Sequence, residues 1–293
     1  MVNTSATSTP ATATEAAPPP VTARPGVIFL RSLRDSAPGI VAWGMGYSTL
    51  LVLIVFLYPI LEENNMLMSV LSGLGVLDRF MANLDVDPSV LNTFHAYLAL
   101  EALSWGPLVL AVYAIPQSIR AVMGEEERGT LDLLMSTPLP RWQLFVEKAL
   151  SIIVAVMMIL SVMWVALVIS TALVDGSDLS VKQATFGIWH ILPMVLVVTA
   201  FTLMLSVLLR NPRTVGGVAA LALLTSFFVS SLSNSVDSPL VDFLRQFSIF
   251  SYYSSIVAME RGPALHTELG LLLVAVAMLL VALVAFNRRD LGV

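Results

Sequence analysis

The chain lacks cysteine altogether and has only three histidines among its 293 residues. The absence of cysteine excludes structural disulfides, thiolate metal sites and cysteine nucleophiles. Charged residues are also scarce, at 12% of the composition against 57% hydrophobic residues, whereas a soluble domain carries about 25% charged residues. A composition this poor in charge is typical of a protein that lies largely in lipid.

Three sequence features that would give the chain its own chemistry are also missing. No G-x-x-x-x-G-K-[ST] phosphate-binding loop occurs anywhere, so the chain does not bind ATP by that mechanism. No H-E-x-x-H zinc motif and no pair of intramembrane aspartates occurs either. An intramembrane enzyme is therefore disfavoured, and we predict no catalytic residue and no metal site.

Long apolar runs dominate what is present. A helix needs about 20 apolar residues to cross a bilayer core of roughly 30 Å. Several runs meet this length, which predicts an all-α polytopic membrane protein with six transmembrane helices. The predicted spans are residues 39–61, 96–120, 144–174, 186–209, 214–234 and 267–287.

The basic residues indicate how these spans are oriented. When both termini are placed in the cytoplasm, eleven of the 15 Lys and Arg residues fall on the inner side. The four on the outer side are Arg79, Lys182, Arg245 and Arg261. This distribution obeys the positive-inside rule, and it predicts a multi-pass protein with both termini cytoplasmic.

Four regions outside the predicted spans have a predicted structure of their own. Residues 1–26 are rich in Ala, Thr and Pro and are predicted to be a disordered tail, which leaves 27–293 as the transmembrane domain. An amphipathic helix at the inner interface is predicted for residues 27–37. Residues 62–95 are predicted to form a long outer segment. The aromatic stretch 235–266 predicts a re-entrant hairpin or interfacial helix on the outer side, covered by protein.

The most unusual stretch is GEEERGTLDLLMSTPLPRW, from Gly124 to Trp142, which carries a cluster of charges between the second and third predicted spans. Thr130 can cap a cytoplasmic helix through the apolar residues that follow, and Pro138 and Pro140 end it. Acidic residues before its start favour the positive end of the helix dipole. From the charge pattern alone, an ordinary solvated loop with an interfacial helix is the simpler interpretation.

The order of residues in this stretch resembles the signature of the membrane subunit of type-2 ABC transporters, E-x-E-x-G-T-L-x-x-L-x-x-x-P-x-x-R with a lysine soon after. The matching residues are Glu125, Glu127, Gly129, Thr130, Leu131, Leu134, Pro138, Arg141 and Lys148. The ending FNRRDLGV and the outer segment FSIFSYYSS are also similar to parts of these permeases. The length of residues 62–95 resembles the single-subunit, NatB-like or multidrug-type branch rather than the compact members that move polysaccharides.

The resemblance implies that the chain is the permease of an ATP-driven exporter in a prokaryotic plasma (inner) membrane, with a drug, peptide or lipid-like cargo. ATP and Mg would be bound by a separate cytosolic ATPase in two copies, and a second permease chain would complete a homodimer. Membrane lipid is the other expected partner, and no nucleic acid is expected. Residues 130–137 would be the coupling helix that docks on the ATPase. The implied coupling residues are Glu125, Glu126, Glu127, Arg128, Gly129, Thr130, Leu131, Leu134, Pro138 and Arg141.

Candidates for the translocation path are fewer. Glu101 lies near the outer end of the second span, where it either faces the bundle interior or is solvated at the headgroups beside His95 and Tyr97. Trp189 and His190 are predicted to be an interfacial anchor. The aromatic candidates for an outer gate are Phe247, Phe250, Tyr252 and Tyr253.

Small residues and prolines add two further predictions. Gly216 and Gly217 allow close packing in the fifth span and are candidates for a dimer face. Pro107 and Pro116 predict kinks in the second span, and Pro193 predicts one in the fourth.

The alternative function is a self-contained secondary transporter or channel. Such proteins handle coupling ions with intramembrane charges, often on broken helices in paired repeats. Apart from Glu101, the few charges in the predicted spans, Arg120, Glu147, Lys148 and Glu268, lie close to span ends, and the sequence contains no convincing internal repeat.

Overall fold

The computed structural model describes residues 26–63, 93–127, 140–174, 176–209, 211–233 and 238–288, without the side chains of Glu63, residues 125–127 and Ser233. All regular structure in these ranges is helical. The α-helices are α1 Val27–Glu63, α2 Phe94–Glu101, α3 Gly106–Glu127, α4 Arg141–Leu173, α5 Val181–Trp189, α6 Ile191–Leu208, α7 Pro212–Ser233, α8 Pro239–Arg245, α9 Ser255–Arg261 and α10 Leu265–Arg288. Short 3-10 helices cover Leu103–Trp105 and Ile249–Tyr252.

Six helical segments of the described chain are long and apolar enough to cross a membrane, which confirms the predicted all-α polytopic architecture. The second span consists of α2 and α3 and the fourth of α5 and α6, whereas α1, α4, α7 and α10 each form a span alone. Helix α6 is central, because it packs against α3, α4, α7 and α10. Its sequence is apolar on every side, as expected of a helix that other helices surround.

Helix α1 is a single helix of 37 residues that contains both the predicted amphipathic segment and the first span. The sequence predicts a boundary between them near residue 38, but the helix continues through Pro38 and through Pro59. Each proline removes one backbone hydrogen bond from a helix interior. The extensive packing of α1 along α4 compensates for that loss, because tertiary burial outweighs local propensity.

Pro107 and Pro193 mark breaks between helices rather than kinks within them. Helix α3 begins at Gly106 and α6 begins at Ile191, so each proline lies in the first turn of a new helix. A first-turn residue has no intrahelical partner for its N–H group, and proline is therefore well suited to that position. Of the three prolines predicted to kink a span, Pro116 lies well inside a helix, α3.

The bundle has two ends. The base contains the start of α1, the end of α3, the start of α4 and the end of α10, where the rings of Phe145 and Phe286 lie 5.5 Å apart. The opposite end contains both breaks and residues 238–264, which form α8, a 3-10 helix and α9. The first span begins and the last span ends at the base, as an even number of crossings requires.

Residues 238–264, here named the cover segment, correspond to the predicted re-entrant or interfacial element. Their helices are Pro239–Arg245, Ile249–Tyr252 and Ser255–Arg261, all far too short to cross a bilayer. Most of the predicted tail and outer loop, residues 1–25 and 64–92, lies outside the described residues.

Helix α5 packs very closely on the break in the second span. A Cβ atom added at Gly187 of α5 would lie 2.8 Å from Leu103 Cδ1 and 3.1 Å from Met259 Cγ. A glycine at this position allows the close approach of three elements, namely α5, the 3-10 helix at Leu103 and α9, and any larger residue requires the side chains of Leu103 and Met259 to shift.

We predict that Gly187→Leu destabilises the folded protein by about 2 kcal/mol, because a larger side chain must displace Leu103 and Met259. Gly270→Leu is the matched control, since a Cβ atom at Gly270 meets nothing within 4 Å. Thermal unfolding of the purified proteins in detergent measures the difference. Equal melting temperatures for both variants would contradict this account of the packing.

Candidate functional site

At the break in the second span regular α-helical hydrogen bonding is interrupted, and the carbonyls of Ala102 and Leu103 accept 3-10 type bonds from the N–H groups of Trp105 and Gly106. In a membrane protein such groups need partners within the protein, because lipid offers none. Hydroxyl groups supply them, and three of the donors come from other elements of the chain. The bonds run from Tyr47 Oη to Ala102 O at 2.7 Å, Tyr253 Oη to Leu103 O at 2.7 Å, Ser255 Oγ to Ala99 O at 3.1 Å and Ser104 Oγ to Ala99 O at 2.7 Å.

The break in the fourth span is occupied by His190, whose side chain is buried. Its Nδ1 is bonded to the carboxylate of Glu268 on α10, and its Nε2 accepts the backbone N–H of Ser254 at 3.3 Å. Because Nε2 accepts a hydrogen bond, the ring proton lies on Nδ1 and is donated to Glu268. Among the described residues, no third acidic or histidine side chain joins this pair to form a metal site.

Tyr253 connects the two breaks. Its hydroxyl binds Leu103 O in the second span, and its ring stacks on His190 in the fourth, with centroids 4.7 Å apart and planes 9° from parallel. Burial raises the pKa of the Tyr253 phenol well above its usual value, and the neighbouring Tyr47 and Glu268 add to the shift. The phenol therefore remains a hydrogen-bond donor at any physiological pH.

The cover segment is also attached to the fifth span. Ser248 Oγ donates to Ser226 O of α7 at 2.7 Å, and the backbone N–H of Ile249 donates to Ser226 Oγ at 2.9 Å. With the contacts of Tyr253, Ser255 and Ser254, the cover segment is hydrogen-bonded to the second, fourth and fifth spans and lies against the start of the sixth. We call this set of contacts the cover network.

At the base, the first two turns of α4 contact three other spans. Lys148 Nζ donates to Ala121 O of α3 at 2.9 Å, and Glu147 accepts the backbone N–H of Gly26, at the start of α1, at 2.8 Å. The ring of Phe145 packs on Phe286 of α10. Glu147 and Lys148 are both buried, so the base is a packed polar and aromatic junction.

The profile of the ABC-2 family of transporter proteins matches residues 40–291. The chain belongs to the ABC-2 transporter family. It is accordingly a membrane permease component of an ABC transporter, and membership implies partnership with an ABC ATPase subunit. None of the curated proteins matches the chain.

Most of the coupling residues predicted for this ABC-2 permease lie outside the described residues, including the helix predicted at 130–137. Helix α3 continues through Gly124 to Glu127, and the side chains of residues 125–127 are not described. Arg141 is described as the first residue of α4, directly after Pro140. The role of the predicted coupling residues in docking an ATPase stays a prediction.

The predicted gate residues of the permease divide into two groups. Phe250 is buried at 7% exposure and packs against Phe227 of α7 with centroids 5.4 Å apart, and Tyr253 is part of the cover network. Phe247 and Tyr252 are exposed at 71% and 46%. Glu101 is half-buried at the end of α2. Its role in the translocation path stays a prediction.

The dimer-face candidates also differ from each other. A Cβ atom at Gly216 would lie 3.5 Å from Ile119 Cδ1 of α3, whereas one at Gly217 would meet nothing within 4 Å. Gly216 thus packs within its own chain, and only Gly217 is open to a partner. The dimer face stays a prediction.

The prediction that His190 is an interfacial anchor is wrong. His190 is 7% exposed and has a partner at each ring nitrogen, because the helix break brings it against α10 and the cover segment. Glu268 and the two serines that bind Ala99 O, Ser104 and Ser255, were not predicted. The sequence contains two signals for the His190–Glu268 pair. His190 lies shortly before Pro193, and Glu268 is an acidic residue at the start of an apolar run.

We predict that Tyr253→Phe lowers stability by about 1 kcal/mol, the typical value of a hydrogen bond between membrane helices. The neighbouring Tyr252→Phe is the control, because the Tyr252 hydroxyl makes its 2.9 Å bond to Gln246 O at an exposed position. It should cost less than about 0.5 kcal/mol. Chemical or thermal unfolding in detergent compares them, and a larger loss for Tyr252→Phe would contradict the cover network.

Proposed function

We propose that this permease is the membrane subunit of an exporter that a separate cytosolic ATPase drives through the base of the bundle. The observation that carries the proposal is the junction at the base. The stretch with the family signature leaves α3 and enters α4 beside the Lys148–Ala121 bond, so both of its ends are anchored to the same packed junction.

The distribution of charge supports a cytoplasmic base. Among the described residues, the basic side chains at the base are those of Arg31, Arg34, Arg120, Arg141, Lys148, Arg213 and Arg288. Those at the opposite end are Lys182, Arg245 and Arg261. This bias agrees with the positive-inside rule and supports the proposal that both termini lie in the cytoplasm of a prokaryotic cell.

In this proposal residues 130–137 form the coupling helix, with its leucines in a cleft of the ATPase and the charged residues 125–128 around it. ATP and Mg are bound by two copies of the ATPase, and two permease chains form a homodimer. Closure of the ATPase dimer displaces the coupling helices and moves the spans between inward-open and outward-open states. Such coupling requires two global states and a rigid element that connects them.

Release of cargo on the outer side then requires that the cover network opens. The cover segment joins spans that must separate for a path to form at the opposite end of the bundle. The apolar character of the spans favours an amphipathic drug, peptide or lipid-like cargo.

A second candidate is a proton-coupled secondary transporter. The observation that favours it is the buried His190–Glu268 pair, because paired ionisable groups within a membrane commonly form proton relays. Transport that persists without any ATPase, and follows a pH gradient, would support this candidate over the first.

We predict that Glu127→Ala and Gly129→Pro each lower ATP-dependent transport and stimulation of the ATPase while membrane insertion is unchanged. The first removes a contact to the ATPase and the second deforms the docking helix. Glu260→Ala, an exposed carboxylate at the opposite end, serves as the control. Normal transport and normal ATPase stimulation in both coupling variants would refute the proposal.

The orientation has its own test, because the chain contains no native cysteine. A single cysteine at Leu240 in the cover segment, where the side chain is exposed, should react with a membrane-impermeant maleimide in intact cells. A cysteine at Leu30, exposed near the base, should react only after permeabilisation. The reverse pattern would place the base outside.

A further inference from the structure

Helix α1 begins without a capping side chain at its first residue. Gly26, which precedes the helix, has a positive φ of 90° and no side chain that could accept a hydrogen bond. The first backbone N–H groups of any helix lack partners within that helix. A helix of 37 residues that starts in this way is stabilised by an acceptor from elsewhere in the protein.

Glu147 of α4 supplies that acceptor. Its Oε1 accepts the N–H of Gly26 at 2.8 Å and its Oε2 accepts the N–H of Phe29 at 3.0 Å. Gln143, one turn earlier on α4, donates to Glu147 Oε1 at 2.8 Å and holds the carboxylate in place. A negative charge at this position also interacts favourably with the positive end of the α1 dipole.

The position of Glu147 in α4 makes this contact mechanically important. Helix α4 starts at Arg141, directly after the stretch that carries the coupling signature, and Glu147 lies in its second turn. The neighbouring Lys148 binds the carbonyl of Ala121 on α3. Two successive residues of α4 therefore bind the helix that precedes the coupling stretch and the helix that begins the membrane domain.

We propose that Glu147 is a positioning residue for energy coupling, whose carboxylate transmits movement of the coupling stretch to α1. The inference rests on the proposed function, because it assumes that an ATPase displaces the stretch between α3 and α4. Since α1 packs along α4 and Tyr47 of α1 donates to Ala102 O at the opposite end, movement at the base reaches, through α1, the break in the second span to which the cover segment is bound.

The test measures the distance between α1 and α6 at the base. Cysteines at Leu30 of α1 and Leu208 of α6, both exposed at the base, carry nitroxide labels in a chain without native cysteine. Labelled chains are diluted with unlabelled chains, reconstituted in vesicles with the ATPase that co-purifies with the wild type, and measured by pulsed electron resonance. The probe is a non-hydrolysable ATP analogue with Mg²⁺.

We expect the analogue to change the Leu30–Leu208 distance distribution in the wild type and to leave it unchanged in Glu147→Ala. Stimulation of the ATPase should fall at least about tenfold in Glu147→Ala, because the loss of one hydrogen bond to a charged group already corresponds to about that factor and the substitution removes two, from Gly26 and Phe29. Glu147→Gln keeps the size of the side chain and one acceptor oxygen but leaves one of the two N–H groups without its acceptor, so it should give an intermediate loss and only a small fall in the melting temperature. Leu150→Ala, an exposed residue of the same helix, should behave as the wild type.

The outcomes separate this inference from the proposed function. If no ATPase co-purifies with the wild-type chain, the proposed function is wrong. If the ATPase binds and α1 moves equally in the wild type, Glu147→Ala and Glu147→Gln, the role of Glu147 is wrong and the proposed function stands. Should Glu147→Ala fail to insert, the folded Glu147→Gln variant decides the question by the same distance measurement.

Discussion

A backbone carbonyl that leaves its helix within a membrane has no water to bind, and this constraint governs the arrangement of the opposite end of the permease. The second and fourth spans are both interrupted, and each interruption would be costly if its polar groups lacked partners. Tyr47, Tyr253 and Ser255 satisfy the first interruption. His190 occupies the second. The cover segment is held where it is because it carries most of these donors.

The base meets a similar need by a different means. There the unpartnered groups are the N–H groups at the start of α1, and a carboxylate from α4 accepts them. Charge can be used at the base because a helix start attracts an anion, whereas the first break presents carbonyls and needs neutral hydroxyl donors. The two ends are connected by α1, which is bound at Gly26 by Glu147 and at Tyr47 by Ala102.

The sequence predicts those parts of the fold that depend on lipid. Apolar runs indicate the spans because a bilayer imposes a minimum length, and the predicted starts at residues 144, 214 and 267 lie close to Arg141, Pro212 and Leu265. The breaks escape prediction because an interrupted helix can be as apolar as a continuous one. Pro107 and Pro193 lie beside both breaks, but a proline alone does not distinguish a kink from a new helix start.

The candidate sites are harder to predict because their contacts are distant in sequence. Tyr253 and Leu103 are 150 residues apart, and His190 and Glu268 are 78 apart. No local pattern signals that such residues meet. The base was predictable only in part, since Lys148 belongs to the family signature while Glu147, beside it, does not.

The double role of Tyr253 has a consequence for the order of events during opening. Because one side chain is bonded to the second span and stacked on the fourth, it cannot keep both contacts when the two spans separate. An intermediate in which only one of the two spans has moved would leave the buried Tyr253 phenol without its hydrogen bond or the His190 ring without its stacking partner. Such an intermediate would therefore be sparsely populated. The two interrupted spans are thus expected to separate in a single cooperative step, so that the pathway is either sealed or open.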